Sequence, residues 1–82
     1  MPYLQQLTRE QMDAGNAPVT AGELTYCITR EIQRHLGTKK TMRYEDIARV
    51  LGAIEGAKVD FVYRIVQPYE LKKQLENGDV WS

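Results

Sequence analysis

The side chains best suited to binding a ligand are basic residues and tyrosines in the middle and second half of the chain. They are Arg30, Arg34, Lys39, Lys40, Arg43, Tyr44, Tyr63 and Arg64. From residue 30 to residue 43, five basic side chains against one acidic side chain give a local charge of +4. Arginine binds phosphate with a fork of N–H donors, and tyrosine stacks on bases. The pattern predicts a site for a small anion such as a nucleotide, with a solvated basic surface as the alternative.

The acidic residues of the second half are the other candidates, because carboxylate oxygens suit magnesium. They are Glu45, Asp46, Glu55, Asp60, Glu70, Glu76 and Asp79. A helical metal-dependent nucleotide pyrophosphohydrolase would hold magnesium with clustered acids of this kind. However, Glu45 and Glu55 lie on different sides of a helix, and the paired Glu-x-x-Glu element of those enzymes is missing. A solvated helix face explains these acids better, so we expect no catalytic residue, no metal and no cofactor.

The chain has one cysteine and one histidine, Cys27 and His35. A single cysteine allows no internal disulfide, which favours a reducing compartment. The two residues lie two turns apart on the predicted helix, too far for a direct hydrogen bond between a nucleophile and its base. We therefore interpret Cys27 as a small buried side chain.

Composition narrows the classes of partner. The 82 residues include 11 basic and 11 acidic side chains, so the formal net charge is zero and bulk attraction to nucleic acid is not expected. No apolar run reaches membrane-spanning length, and the N-terminus lacks a signal peptide. We expect a cytoplasmic protein without a membrane partner.

The longest regular pattern predicts an amphipathic helix from about Tyr44 to Val66. Apolar residues recur along it at spacings of three and four: Ile47, Val50, Leu51, Ile54, Ala57, Phe61 and Ile65. Pro68 has no amide hydrogen and disfavours helix at the residue before it, which predicts a stop or kink there. A shorter helix over 69–77 then precedes Gly78, a residue type that ends helices.

A second helix is predicted over residues 21–36, behind a capping box formed by Thr20 and Glu23. The short connection to the long helix favours an antiparallel hairpin as the core of an all-α fold. Residues 1–19 are predicted to be an arm and linker, in which Leu4, Leu7 and Met12 permit a short helix that docks loosely. Residues 20–82 are predicted to form the helical domain.

Small residues form a stripe on the other side of the long helix. Ala48, Gly52 and Gly56 are four residues apart, and each glycine costs a helix about 1 kcal/mol relative to alanine. The cost predicts a compensating close approach by another backbone. Two partners stay open, namely the preceding helix of the same chain and a second copy in a homo-oligomer.

The second half of the chain carries a recognisable series of residues. They are Tyr44, Glu45, Gly52, Glu55, Lys58, Tyr63, Arg64, Pro68, Tyr69, Glu70, Lys73, Glu76, Asn77, Gly78, Asp79 and Val80. With its Pro-Tyr-Glu and terminal Glu-Asn-Gly-Asp-Val-aromatic motifs, the chain from Leu24 to Trp81 resembles a family of short phage and prophage proteins of unknown function. It departs from that family at Gly56, in place of a cysteine, and at Ile65, in place of an arginine.

The resemblance implies a phage origin but brings no established chemistry. Together with the residues above, it favours a non-enzymatic accessory protein that acts as a homo-oligomer. We expect such a protein to bind and sequester a small nucleotide-like signal or to block a host factor, for example in evading host defence. A protein-interaction module without a small ligand is the alternative, with Leu4, Leu7 and Met12 as its contact surface.

Overall fold

The computed structural model of the protein describes residues 4–38, 40–79 and 81. The helices are α1 (Gln6–Asp13), α2 (Ala21–Leu36), α3 (Tyr44–Phe61), a π-helical segment (Val62–Val66) and α4 (Gln67–Asn77). No strand occurs in these described ranges. The predicted all-α class is therefore confirmed.

The chain divides into two compact units, Met1–Thr41 and Met42–Ser82. The first unit contains α1 and α2, which pack against each other. The second contains α3, the π-helical segment and α4. The predicted hairpin of α2 with α3 spans the boundary between the units and stays a prediction, as does the division into an arm of residues 1–19 and a domain of residues 20–82.

Helix α2 begins where its capping residues predict. The Thr20 hydroxyl accepts a hydrogen bond from the Glu23 amide at 3.1 Å. The Glu23 carboxylate accepts from the amide of Val19 at 2.9 Å, one residue earlier than in the usual capping box. The helix ends at Gly37, whose φ of 65° favours glycine. Local side-chain chemistry thus fixes both ends of α2.

Helix α3 begins at a cap made by Asp46, one of the acids considered for metal binding. Its carboxylate accepts a hydrogen bond from the backbone N–H of Arg43 at 2.9 Å, and its side chain is buried. The Nη1 atom of Arg49 lies 3.6 Å from Asp46 Oδ1. A carboxylate in the first turn also favours the positive end of the helix dipole. The structure therefore uses Asp46 to start a helix.

Of the predicted stop or kink at Pro68, the stop does not occur, and the predicted C-terminal helix over 69–77 is present as α4, which starts two residues earlier. Val62, Val66 and Gln67 all have right-handed helical backbone angles, so α3 runs through the π-helical segment into α4. The Gln67 N–H donates to the carbonyl of Val62, five residues back. This wide turn comes directly before Pro68, whose ring and missing amide disturb a regular α-helix. We call the continuous element, residues 44–77, the long helix.

The long helix exposes large apolar side chains on several sides. Those exposed are Tyr44, Ile47, Leu51, Ile54, Val59, Phe61, Tyr63, Ile65, Tyr69, Leu71 and Leu75. Within its own unit, the described part of the chain offers no second helix on which these side chains pack. Single helices are only marginally stable in water, and helices in proteins gain most of their stability from packing. The long helix therefore gains little stability from packing within its own unit.

Candidate functional site

The best-organised polar cluster lies in the first unit, where α1 meets α2. Tyr26 is its centre and has only 3% of its surface exposed. The Tyr26 hydroxyl is 2.9 Å from Asp13 Oδ1 and 3.0 Å from Oδ2, so it donates to the Asp13 carboxylate. A buried tyrosine needs a partner for its hydroxyl, and Asp13 at the end of α1 supplies one.

Arg30 completes this cluster from one turn further along α2. Its Nε atom lies 2.8 Å from the Tyr26 hydroxyl oxygen and 3.2 Å from Asp13 Oδ1. Its Nη2 atom is 3.2 Å from Asp13 Oδ2, and the guanidinium lies 5.2 Å from the centre of the Tyr26 ring. We call these residues the Asp13–Tyr26–Arg30 cluster. The charge-assisted hydrogen bonds to Asp13 fasten α1 to α2, and the cation–π contact lies within α2, between Arg30 and Tyr26.

The electrostatics of the cluster are those of a matched ion pair. The hydrogen bond from Arg30 is the main reason why the pKa of Asp13 lies below its ordinary value of 3.8. The Tyr26 hydroxyl and the charge of Arg9 act in the same direction, whereas partial burial opposes them. The hydrogen bond to Asp13 likewise raises the pKa of Arg30. The charge of Arg30 is therefore already paired with a carboxylate of the same chain.

An open groove of about 720 Å³ runs beside this cluster, within the first unit. Its lining comes from the end of α1, the following loop and α2, and includes Met12, Ala17, Pro18, Cys27, Arg30 and Arg34. Asp13 and Glu31 also line it, so both signs of charge are present. The groove is large enough for a small molecule, and the side chains of two arginines line it.

Arg34 is the more available of these two arginines. Its Nη2 atom pairs with Glu31 Oε2 at 2.9 Å, but both side chains are well exposed. Exposed pairs of this kind contribute little and exchange partners readily. Arg34 can therefore turn to a ligand at small cost, whereas moving Arg30 would dismantle the contact between α1 and α2.

The other predicted ligand-binding residues are distributed over the chain. Lys39 lies outside the described residues, and Lys40 is exposed near the end of the first unit. In the second unit, Arg64 Nε pairs with Asp60 Oδ1 at 2.8 Å. Arg43 gives its backbone N–H to the helix cap described above. A ligand-binding role for these residues stays a prediction.

The two predicted stacking residues of the long helix cannot share a site within one chain. Tyr44 and Tyr63 are 83% and 71% exposed. Nineteen helical residues separate them, which places them about 28 Å apart at 1.5 Å per residue. Only residues from elsewhere, including those of another copy, can complete a site around either ring.

The stripe of small residues on α3 is open. A Cβ atom added at Gly52 or at Gly56 would meet no atom within 4 Å among the described residues. Space for a close approach is thus present beside Gly52 and Gly56, as the predicted interface of Ala48, Gly52 and Gly56 requires.

Two further acids of the second half, Glu55 and Glu76, form ion pairs along their own helices. Glu55 Oε1 lies 4.0 Å from Lys58 Nζ, and Glu76 Oε2 lies 3.4 Å from Lys73 Nζ. Across the described ranges, no group of three or more His, Cys, Asp or Glu side chains is placed to hold a metal ion.

Sequence reasoning missed Asp13 and Tyr26, which form the most organised contact of the first unit. Tyr26 and Arg30 are four residues apart on α2, a spacing that puts side chains next to each other. That spacing was the available signal. Nothing local pointed to Asp13, because it reaches Tyr26 across the loop between α1 and α2.

Comparison with known proteins identifies a family. A family model described as a domain of unknown function, DUF6899, matches residues 1–80. The match includes the N-terminal arm, which the resemblance seen in the sequence left out. No curated protein and no solved structure matches the chain. No helix in the described parts of the chain has the length and apolar character needed to cross a membrane. The chain belongs to the DUF6899 family.

Proposed function

We propose that this member of the DUF6899 family is a non-enzymatic binding protein that works as a homo-oligomer through its long helix. The observation that carries the proposal is the exposure of large apolar side chains along a helix that has no partner in its own unit. Contiguous exposed apolar surface on a helix is typical of an interaction site.

The expected gain and cost of association are of similar size. Completing the burial of one half-exposed large apolar side chain contributes about 1 kcal/mol. Association of two chains costs about 4–15 kcal/mol in lost freedom. About ten such side chains, shared between two copies, reach the scale of this cost, and the long helix alone supplies enough of them.

Native mass spectrometry of the purified protein tests this proposal, because it reports subunit number and any retained small molecule together. We expect an oligomer. A bare monomer at about 100 μM, far above the dissociation constant of about 1 μM of a modest complex, would contradict it. The protein would then have to act through a different partner, for which Leu4, Leu7 and Met12 remain the predicted surface.

A second candidate function is sequestration of a small nucleotide-like anion. The groove beside the Asp13–Tyr26–Arg30 cluster favours it, because Arg34 lines this groove and is exposed. A phage-type accessory protein that removes a signalling nucleotide, or one that blocks a host factor, fits this proposal.

Titration calorimetry with a set of nucleotides tests the second candidate. Arg34→Ala should weaken binding at least about tenfold, since a hydrogen bond to a charged group contributes about 1.5–3 kcal/mol. Lys72→Ala is the matched control, because Lys72 is an exposed basic residue of the other unit and is not among the predicted ligand-binding residues. Equal losses in both variants, or none in either, would remove the groove from consideration.

A further inference from the structure

We infer that two copies of the long helix pair antiparallel, with the two-fold axis between Val59 and Asp60. This inference rests on the proposed assembly and names its partner as a second copy of this chain. The inference specifies both the orientation and the register of the paired helices.

The charges of the long helix and its cap support this orientation. When the sequence is reflected about the midpoint between residues 59 and 60, each residue of the first half is matched with one of the second half. Four charged residues of the first half are then matched with residues of opposite charge. The pairs are Arg43 with Glu76, Asp46 with Lys73, Arg49 with Glu70, and Glu55 with Arg64. The other charges of this stretch are mirrored by uncharged residues.

An antiparallel pair with this register therefore places opposite charges at the same level and no like charges together. A parallel pair without stagger would do the reverse, because each charge would lie level with its own copy. Like-charge juxtaposition disfavours the wrong partner or orientation. The helix dipoles of an antiparallel pair point in opposite directions, which also favours this orientation.

The sizes of the side chains fit the same register. The small residues Ala48, Gly52 and Gly56 are mirrored by Leu71, Gln67 and Tyr63. Both sets are spaced by four residues, so each lies along one side of its helical stretch. Leu71 and Tyr63 are exposed, and the space beside Gly52 and Gly56 is open. Large side chains of one copy can therefore fill the gaps left by small residues of the other.

The ion pairs near the two-fold axis leave their charges accessible. Arg64 and Asp60 keep 72% and 65% of their side-chain surfaces exposed although they are 2.8 Å apart. Glu55 and Lys58 are also exposed. A second helix can therefore approach Glu55 and Arg64 without removing them from buried partners, whereas Asp46 stays in its buried helix cap.

Crosslinking of single-cysteine variants tests the orientation. Starting from Cys27→Ala, one variant carries Ala48→Cys and another carries Leu71→Cys, and the two are expressed together with tags of different mass. In the antiparallel pair these positions lie opposite each other, whereas two copies of position 48 are about 35 Å apart at 1.5 Å per residue. A short bismaleimide should join unlike tags only.

The other possible crosslinking results would contradict the antiparallel pair. Crosslinking of each variant to itself would mean a parallel pair, and an oligomer with no crosslink would mean another register or surface. Both outcomes overturn the inference but leave the proposed assembly intact, whereas a monomeric mass overturns the assembly itself. Circular dichroism of each variant checks that helix content is unchanged.

A charge reversal provides a second measurement on the otherwise native chain. Glu70→Lys should raise the dissociation constant of the oligomer about 3- to 30-fold, because it sets like charges beside Arg49 twice in the symmetric pair. Lys72→Glu is the matched control, since position 72 is mirrored by Ile47. An equal effect of both changes would overturn the register.

Discussion

Asp13 and Arg30 show how a single ion pair can fasten a short helix to its neighbour. Helix α1 has eight residues, too few for a stable isolated helix. Its contact with α2 therefore depends on the Asp13 carboxylate, which receives hydrogen bonds from both Tyr26 and Arg30. The stability of the first unit should follow the charge of this one carboxylate.

We expect Asp13→Asn to lower the stability of the first unit at neutral pH. The pKa of Asp13 is depressed in the folded protein, mainly by the hydrogen bond from Arg30. A group with a depressed pKa stabilises the fold above its unfolded pKa, and this contribution is lost as the pH falls through the folded pKa. The difference between wild type and variant should therefore shrink below the ordinary value of 3.8.

Urea denaturation between pH 7 and pH 2.5, followed by far-UV circular dichroism, measures this difference. Glu10→Gln is the control. Glu10 is an acid of the same helix, and its carboxylate accepts a hydrogen bond from the side chain of Gln6. A deficit of the Asp13 variant that stays constant down to pH 2.5 would contradict the role of its charge.

Residue-level predictions succeeded where partners are close in sequence. The Thr20 cap is readable because Thr20 and Glu23 are three residues apart. Asp13 lies 13 and 17 residues from its partners Tyr26 and Arg30, and no local rule relates them. Contacts formed across a loop depend on how two helices pack, which the sequence pattern alone did not specify.

At the level of elements, Pro68 is accommodated inside a continuous helix. Proline in a helix interior costs about 3 kcal/mol relative to alanine. The π-helical segment before Pro68 absorbs part of this cost by widening the turn. The predicted stop rested on the rule for an isolated proline, and it did not consider that a wider turn can keep the helix going.

We expect Pro68→Ala to stabilise the long helix by up to about 3 kcal/mol, because it restores an amide N–H and removes the ring clash. Thermal unfolding and helix content by circular dichroism measure the effect. Pro18→Ala is the matched control, since Pro18 lies in the loop between α1 and α2. A loss of stability in the Pro68 variant alone would mean that the wide turn is itself favourable.

Gly52→Leu separates helix formation from helix association. Leucine should stabilise the isolated helix by about 1 kcal/mol relative to glycine, and the open space around Gly52 accommodates it within the chain. If another backbone approaches this stripe in the oligomer, leucine should also reduce the subunit number. Native mass and melting temperature are measured together, with Gly52→Ala as the small control. An unchanged subunit number together with an unchanged or higher melting temperature for the leucine variant would refute close approach.

The bounds of α2 and the start of α3 follow from capping residues and periodicity, and were predictable. The continuation through Pro68 was not, because the five-residue hydrogen bond from Gln67 to Val62 has no sequence signature of its own. The stripe of Ala48, Gly52 and Gly56 was visible in the sequence, but spacing alone could not say whether it is covered.

For the whole molecule, the shortage of buried apolar side chains is the dominant fact. Among the described residues, Tyr26 is the only buried hydrophobic side chain. A chain of this size has a small core even when compact. Stability should therefore depend on association with other chains.

We expect the melting temperature to rise with protein concentration, by about 3–6 °C for each tenfold increase, since association stabilises by mass action. Differential scanning calorimetry from about 5 to 500 μM, a range above the dissociation constant of about 1 μM of a modest complex, measures the slope. A melting temperature independent of concentration would indicate that each chain folds alone. The all-α class was predictable from periodicity, but subunit number depends on surfaces that no single helix pattern defines.

The π-helical segment has a consequence for how related sequences are aligned. Each α-helical residue turns the chain by about 100°, and a π turn holds one residue more than an α turn. Residues 62–66 therefore act as a single inserted residue retained inside the helix. Deleting any one of them should let a regular α-helix run through while the side chains of α4 keep their facing, because the wide turn already accommodates the extra residue. A one-residue gap elsewhere in the long helix would instead rotate everything after it by about 100°, so an alignment gap placed in residues 62–66 preserves which side chains of α4 share a side with those of α3.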